Sequence, residues 1–438
     1  MRFLFFACAA LLLLSPIALT KPGKSADSKN ADWPQWRGPG RNGICAETGL
    51  LKEWPKGGPA LLWDAKKVNG GASVGTGMSS LAITQGKIYT MGDVGGKKGS
   101  GAHVFCLDAD SGKEIWKTKV GPPSMGSPGP GPHSTPTVDG ERLYALTTQG
   151  KLTCLKSADG KILWEKDLVK EFGGQHPGFG GYGESPLVDG DKLVLAPGGK
   201  KCMVALNKLS GDVYWTCDPP KNDGTGHGSI VKAEVGGVKL YITLAHKKLG
   251  LIGVEAESGK FLWSYDKVAN GTANIPTAIV KGEYVFISTG YGTGAALLKL
   301  VPDGNGGVKA EEQYFLKGAK LQNHHGGMIM IGDHIYGGHG HNDGLPFCLE
   351  WKSGKFAWGP ERGPGARSAA VLYADGNLYF RYENGVMALI EATTTGYKAK
   401  GAFTPPLSTP AWQHPVVYNG RLYLRGNDQI LCYDIRQK

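Results

Sequence analysis

The sequence predicts an all-β chain closed into an eight-bladed β-propeller with four-stranded antiparallel blades. Three observations carry this. First, a phrase of apolar residues, a glycine turn and a second apolar strand recurs eight times. Its turn glycines are Gly86, Gly140, Gly190, Gly237, Gly282, Gly332, Gly376 and Gly420, spaced 44 to 54 residues apart. A strand-and-turn repeat of that length is the period of a propeller blade. Second, a stricter frame follows five of these turns: Cys106 to Trp116, Cys154 to Trp164, Ala205 to Trp215, Gly253 to Trp263 and Cys348 to Trp358. In each, a small residue stands ten positions before a tryptophan, and a glycine stands four before it. Third, the last unit stops at Leu431-Cys432-Tyr433-Asp434 without an outer strand, which Ala60-Leu61-Leu62-Trp63-Asp64 can supply from the other end. Pairing the termini in one blade closes the ring and removes an exposed sheet edge.

The frame has a direct physical reading. Its Ser-Gly or Asp-Gly turn supplies a positive φ. The tryptophan on the outer strand covers the neighbouring blade, and the small residue leaves room for it. Two units are degenerate, one ending near Tyr314 and one in Thr393-Thr394-Thr395-Gly396-Tyr397.

Composition fits a folded β-rich chain: 69 glycines and 26 prolines in 438 residues, with 41% hydrophobic residues. Residues 1–20 read as a signal peptide, with Arg2 as the basic start and Phe3 to Leu14 as the apolar stretch. Residues 21–31 follow as a polar linker, 32–58 as an N-terminal strap and 59–438 as the propeller. The expected product is a periplasmic or secreted monomer without a transmembrane segment, since no later run approaches about 18 apolar residues. The net charge of +11 comes from lysines scattered over hairpin tips such as Lys97-Lys98, Lys200-Lys201 and Lys247-Lys248. That pattern favours an acidic partner and shows no organised nucleic-acid stripe.

Seven cysteines would remain after cleavage, and an odd number argues against a fully paired disulfide framework. Cys106, Cys154, Cys348 and Cys432 share a repeat column that holds Ala205, Gly253 and Ala388 elsewhere, so they read as buried core thiols. Cys202 and Cys217 flank the Leu209-Ser210-Gly211 turn almost symmetrically, which leaves a cross-strand disulfide or two free thiols open.

In a four-stranded blade the innermost strand lines the central funnel. The loops leading into it and the loops joining strands two and three share one face. The candidate funnel-mouth ligands are His133, Glu184, His227, Asn274, His325 and Arg367, with His324, His246, Arg381, Glu383, Arg425 and Asp428 on the same face. Seven of the 11 histidines fall there. Polar residues in a repeat column also arise because blades pack alike, so each alone is weak and only their convergence points to a ligand. Guanidinium and imidazole together would suit a small anionic ligand. His339, His341 and Asp343 in a glycine-rich loop are candidate ligands for a transition metal, although their spacing is not a signature of common sites. Gly71-Ala72-Ser73-Val74-Gly75 matches the letters of a nucleophile elbow but lacks the strand-to-helix setting. No phosphate loop and no His-Glu-x-x-His occur. Trp33 to Gly43, with two tryptophans and two arginines, reads as a strap packed across the propeller's base or side.

The Ala-x-Asp-x-x-x-Gly-Lys-x-x-Trp frame resembles the tryptophan-docking motif of PQQ-type (quinoprotein) propellers, with Trp116, Trp164, Trp215, Trp263 and Trp358 as the structural docking residues. It is also similar to the BamB propeller of outer-membrane assembly. The opening Asp32-Trp33-Pro34-Gln35-Trp36-Arg37-Gly38-Pro39-Gly40-Arg41-Asn42-Gly43 resembles the start of PQQ-like repeat proteins exported by planctomycetes. The resemblance spans about residues 32–438. It implies two functions. A BamB-like chain would be a non-catalytic binding or scaffolding protein acting through its funnel and loop face, with an unknown protein or small ligand as partner. A quinoprotein would be an oxidoreductase of alcohols or sugars, holding PQQ in the funnel with Ca²⁺ on the quinone and a carboxylate base. The chain lacks the adjacent cysteine pair of those dehydrogenases and the insertions that build their lid. Their calcium ligands do not map onto it; Glu184, Asn274 and Asp343 match only in residue type. The binding propeller is the preferred expectation.

Overall fold

Eight sheets of antiparallel strands follow one another around the chain. The computed structural model describes residues 32–95, 99–124, 131–178 and 180–437; the expected signal peptide and polar linker lie outside the described residues. Blades one to seven span residues 82–119, 137–167, 187–217, 231–265, 279–317, 328–358 and 369–403. Blade eight joins Val416–Tyr418, Arg421–Gly426 and Gln429–Asp434 to the N-terminal strand Ala60–Asp64, which is its outer strand. The expected closure of the ring by its termini is therefore present. Among the described residues helix is confined to two single turns, Ala65–Val68 and Leu168–Phe172, capped by Asp64 and Asp167.

The repeat glycines behave as the turn chemistry requires. All eight have positive φ, from 55° at Gly282 and Gly332 to 83° at Gly376. The tryptophan frame works through register. Trp116 pairs with Cys106, Trp164 with Cys154, Trp215 with Ala205, Trp263 with Gly253 and Trp358 with Cys348. Trp63 pairs with Cys432 in the closing blade. A bulge beside each pair skips one residue of the outer strand and aims the indole toward the next blade.

There the indole meets glycine. A Cβ on Gly160 would stand 2.5 Å from the Trp116 ring, one on Gly259 2.5 Å from Trp215, and one on Gly112 2.6 Å from Trp63. The indole N–H of Trp116 reaches Ser157 O at 3.3 Å, that of Trp215 reaches Ala256 O at 3.3 Å, and that of Trp358 reaches Thr393 O at 2.7 Å. In the degenerate fifth blade Tyr314 takes over, lying against Gly354 and donating to Trp351 O at 2.6 Å. Cys106, Cys154, Cys348 and Cys432 are fully buried free thiols, as their column demands. Cys202 and Cys217 are also free and buried, so that hairpin carries two thiols.

A second girdle binds the blades at the hub. Thr135 Oγ1 accepts from Ser80 N (3.1 Å), Ser185 Oγ from Thr135 N (3.0 Å), Ser229 Oγ from Ser185 N (3.0 Å) and Thr277 Oγ1 from Ser229 N (3.2 Å). His414 N extends the row to blade eight by donating to Ser80 Oγ at 2.9 Å. The strap enters this hub. Trp33 pairs with Ile83 of blade one, Pro34 O accepts from Val138 N of blade two, and Arg41 donates to Ser185 O and Pro186 O of blade three. Trp36 then donates to Thr277 Oγ1 at 3.3 Å, Arg37 reaches Met328 O, and Ile44–Cys45 adds a parallel strand to blade seven. The strap thus crosses the base and closes the channel floor.

Two glycines separate the cost of turn conformation from the cost of the tryptophan seat. Gly282→Ala has open space around it and should lose only about 1–2 kcal/mol, the left-handed backbone term. Gly160→Ala carries the same backbone strain and also meets the Trp116 ring, so its loss should be larger by about 1–3 kcal/mol. Urea unfolding of the two variants measures this; equal losses would mean that the indole yields freely.

Candidate functional site

The strap leaves a cup of about 340 Å³ on the opposite side, at the hub. Every blade contributes to its wall through the segment leading into its inner strand: Met78, His133, Gly183, His227, Thr277, His325, Arg367 and Trp412, in blade order. The loops between strands two and three add Tyr291, His341 and Glu383, and the strap adds Trp36 and Arg37 as floor. Trp36 spans the hub, bonded to Thr277 of blade five and packed edge-on against His414 of blade eight at 4.5 Å between ring centroids.

Five imidazoles line this cup: His133, His227, His324, His325 and His341. His324 lies 4.5 Å from His325 and 4.3 Å from His341 between ring centroids, and Tyr291 closes on His341 at 4.3 Å. His324 Nδ1 meets Ser368 Oγ at 2.9 Å and its Nε2 meets Tyr291 Oη at 3.0 Å. Burial pushes His324 down to about 3, helped by His325 and His341. Burial does the same to His227, with His133 as the next cause. His414 is driven well below the ordinary imidazole range by burial, then by Arg37 and His325. At neutral pH these three rings are uncharged, each a donor and an acceptor.

The carboxylate of the cup is Glu383, about 5% exposed. Burial would raise it, but His325 at 3.4 Å, Arg367 at 3.2 Å and the Trp412 indole outweigh burial and hold it below the usual carboxylate range. His325 Nδ1 and His341 Nδ1 are buried with no hydrogen-bond partner among the described residues.

Of the sequence-derived ligands, His133, His227, His325 and Arg367 stand on the wall as expected. Glu184 and Asn274 do not. Glu184 is buried behind it, accepting from Ala196 N at 2.7 Å, and burial raises it to about 7, with Arg41 opposing. Asn274 braces its own loop through Asn270, and its carbonyl receives the His227 N–H at 2.8 Å. The candidate metal triad is divided. His341 turns into the cup, whereas His339 Nδ1 accepts from Gln322 N at 3.3 Å. Among the described residues no three His, Cys, Asp or Glu side chains gather to hold an ion. His246 also leaves the hub, pairing with Asp223 at 3.3 Å. Sequence reasoning missed Trp36, Trp412 and His414. Trp36 was assigned to a strap without a known path, and Trp412 and His414 belong to no repeat frame.

A family model described as outer membrane protein assembly factor BamB matches residues 61–360. The chain belongs to this family. Its fold is that of the PQQ-like β-propellers, as two solved structures show. BamB from Moraxella catarrhalis superposes with a TM-score of 0.57 at 13% identity, covering 83% of this chain and 98% of that one. The quinohemoprotein alcohol dehydrogenase from Comamonas testosteroni gives a TM-score of 0.61 at 13% identity, covering 94% of this chain and 82% of that one. Among curated proteins, a tetrathionate hydrolase of Acidithiobacillus ferrooxidans is 27% identical over 210 residues. That match takes in 43% of this chain and 38% of the hydrolase. No described helix is long and apolar enough to cross a membrane.

The buried titrating groups give stability a defined pH dependence. His227 and His324 have folded values below their unfolded ones, so their contribution is present above about pH 6.5 and is lost as pH falls toward about 3. Glu184 acts in the opposite sense: its folded value is raised, so it weakens the fold as pH climbs from about 4.5 to about 7. Denaturant titrations should show Glu184→Gln more stable than wild type by up to about 3 kcal/mol at about pH 8, with the two converging near about pH 4. His227→Gln should lose less stability than wild type on acidification. Parallel pH profiles for all three proteins would refute these burial effects.

Proposed function

We propose that this chain is an exported binding propeller of the BamB family that takes a small molecule in its hub cup without turning it over. The observation that carries this reading is the closed floor. With Trp36 and Arg37 across the channel, residues from all eight blades converge on one cup. Five imidazoles, one carboxylate and three aromatic rings form the mixed polar and apolar lining of a ligand pocket.

Several features favour binding over catalysis. His227 and His324 are too acidic to accept a proton at neutral pH. Glu383 is held ionised by Arg367 and His325. The buried thiols of Cys106, Cys348 and Cys432 are pushed up to about 12, about 11 and about 12 by burial, which leaves them unreactive. The cup also suits PQQ with Ca²⁺ poorly. Calcium takes about six to eight oxygen ligands, mostly carboxylate and carbonyl, and this wall offers a single carboxylate, Glu383, with neutral oxygens of Ser229, Thr277, Tyr291 and Asn342 among imidazoles and guanidiniums. The loop face around the cup remains available to a protein partner, in keeping with the assembly role named for the family.

A thermal-shift screen of small metabolites, followed by calorimetry, tests the cup. A ligand that stabilises the wild type should lose about tenfold or more in affinity in Trp412→Ala, with the far-ultraviolet spectrum unchanged. Hits that bind Trp412→Ala equally well would place the ligand elsewhere. Titration with PQQ and CaCl₂, read by absorbance and by dye reduction with alcohols and sugars, should show no saturable turnover. Turnover would overturn the non-catalytic reading.

A further inference from the structure

Four guanidiniums are sealed around the hub. Arg37, Arg41, Arg381 and Arg425 are 3%, 5%, 1% and 0% exposed. Among the described residues the arginine ion pairs belong to Arg367, Arg421 and Arg436, and none of these four has one. Their acceptors are mostly carbonyls. Arg37 reaches Asn42 O and Met328 O, and Arg381 reaches Gln413 O at 3.2 Å. Arg425 reaches Ser79 O, Met91 O, Gly75 O and Asn427 O, and also Thr90 Oγ1. Arg41 reaches Ser185 O, Pro186 O and Gln35 Oε1. The Nε of each has no acceptor among the described residues.

These contacts make the arginines clips between blades, but carbonyl dipoles do not cancel a charge. A buried ion without a counter-ion costs several kcal/mol. Burial lowers Arg37 to about 10 and Arg381 to about 9, so both remain cations at neutral pH. Glu184, lifted to about 7 by burial, offsets Arg41 only in part, and Glu383 offsets Arg367. Asp428 acts on Arg425 from the surface, where it is shared with Lys66 at 3.1 Å. Arg37 and Arg381 have no carboxylate acting on them, and Arg425 has only this shared one. Each adjoins the cup: Arg37 is in its floor, Arg381 holds the carbonyl between Trp412 and His414, and Arg425 lies against Gly77, next to Met78.

We propose that the hub cup selects a small anion bearing at least two negative charges, drawn by the excess of buried guanidinium around it. This deepens the cup reading and rests on it. The imidazoles and the Trp412 indole supply N–H donors at contact, while Arg37, Arg381 and Arg425 act through their field, which is strong where water is excluded. The charge selects; the rings orient.

Calorimetry on the full chain compares succinate with its uncharged analogue succinamide, and tetrathionate with an uncharged disaccharide, at matched ionic strength. At least one dianion should bind saturably, about tenfold or more tighter than its neutral counterpart, and should weaken steeply with added salt. Glu383→Gln should bind the dianion several-fold more tightly, because a negative charge leaves the wall, whereas Arg367→Gln should weaken it. A purely structural role for these arginines predicts neither change. Binding of neither dianion tighter than its neutral counterpart, no saturable dianion, or weaker binding by Glu383→Gln would overturn the proposal. Neutral ligands that bind wild type but not Trp412→Ala, with no preference for charge, would remove the anion and leave the cup standing.

Discussion

The structure depends on an indole lying on a glycine. Four docking tryptophans, Trp63, Trp116, Trp164 and Trp215, each sit at a bulge on the outer strand of one blade and cover the turn of the next, where a Cβ would come within about 2.5–3.0 Å of the ring at Gly112, Gly160, Gly211 and Gly259. That contact needs a residue with neither a side chain nor a bias against positive φ, which is why the frame fixes glycine four places before tryptophan. Repeated at these four successive junctions, it sets the angle between those blades. The hydroxyl girdle at Ser80, Thr135, Ser185, Ser229 and Thr277 then fixes the inner radius. Where the tryptophan is missing, Tyr314 performs the same covering with a different ring.

Because the radius is fixed, the hub would be an open channel without the strap. Trp36 and Arg37 convert it into a cup, and this brings both aromatic surface and charge to the floor. The same segment that seals the base also fastens blades one, two, three, five, six and seven through backbone and guanidinium contacts. The stability of the ring and the shape of the cup are therefore built from the same residues, and neither can change alone.

The hub is electrostatically unusual in how it combines neutral rings with buried cations. Desolvation drives His227, His324 and His414 toward the uncharged form, and nearby guanidiniums reinforce this at His414. The carboxylates follow opposite fates. Glu383, facing the cup between His325 and Arg367, stays ionised, while Glu184, behind the wall, is lifted to about 7. Position relative to the wall decides which carboxylate carries charge.

Blade number, ring closure, the turn glycines and the burial of the Cys106, Cys154, Cys348 and Cys432 column were legible in the chain, because a repeat aligns chemically equivalent positions and so averages out local ambiguity. For the same reason the histidines before the inner strands, His133, His227 and His325, were placed correctly at the funnel. Single, unrepeated residues were not legible. Nothing local distinguishes Glu184, which lies behind the wall, from Glu383, which faces the cup, or tells that His339 and His341 point apart. The path of Trp36 through the hub, and the gathering of Arg37, Arg381 and Arg425 from the two ends of the chain, were decided by tertiary structure alone. Such contacts join residues hundreds of positions apart, and their energies depend on burial, which no short segment of sequence contains.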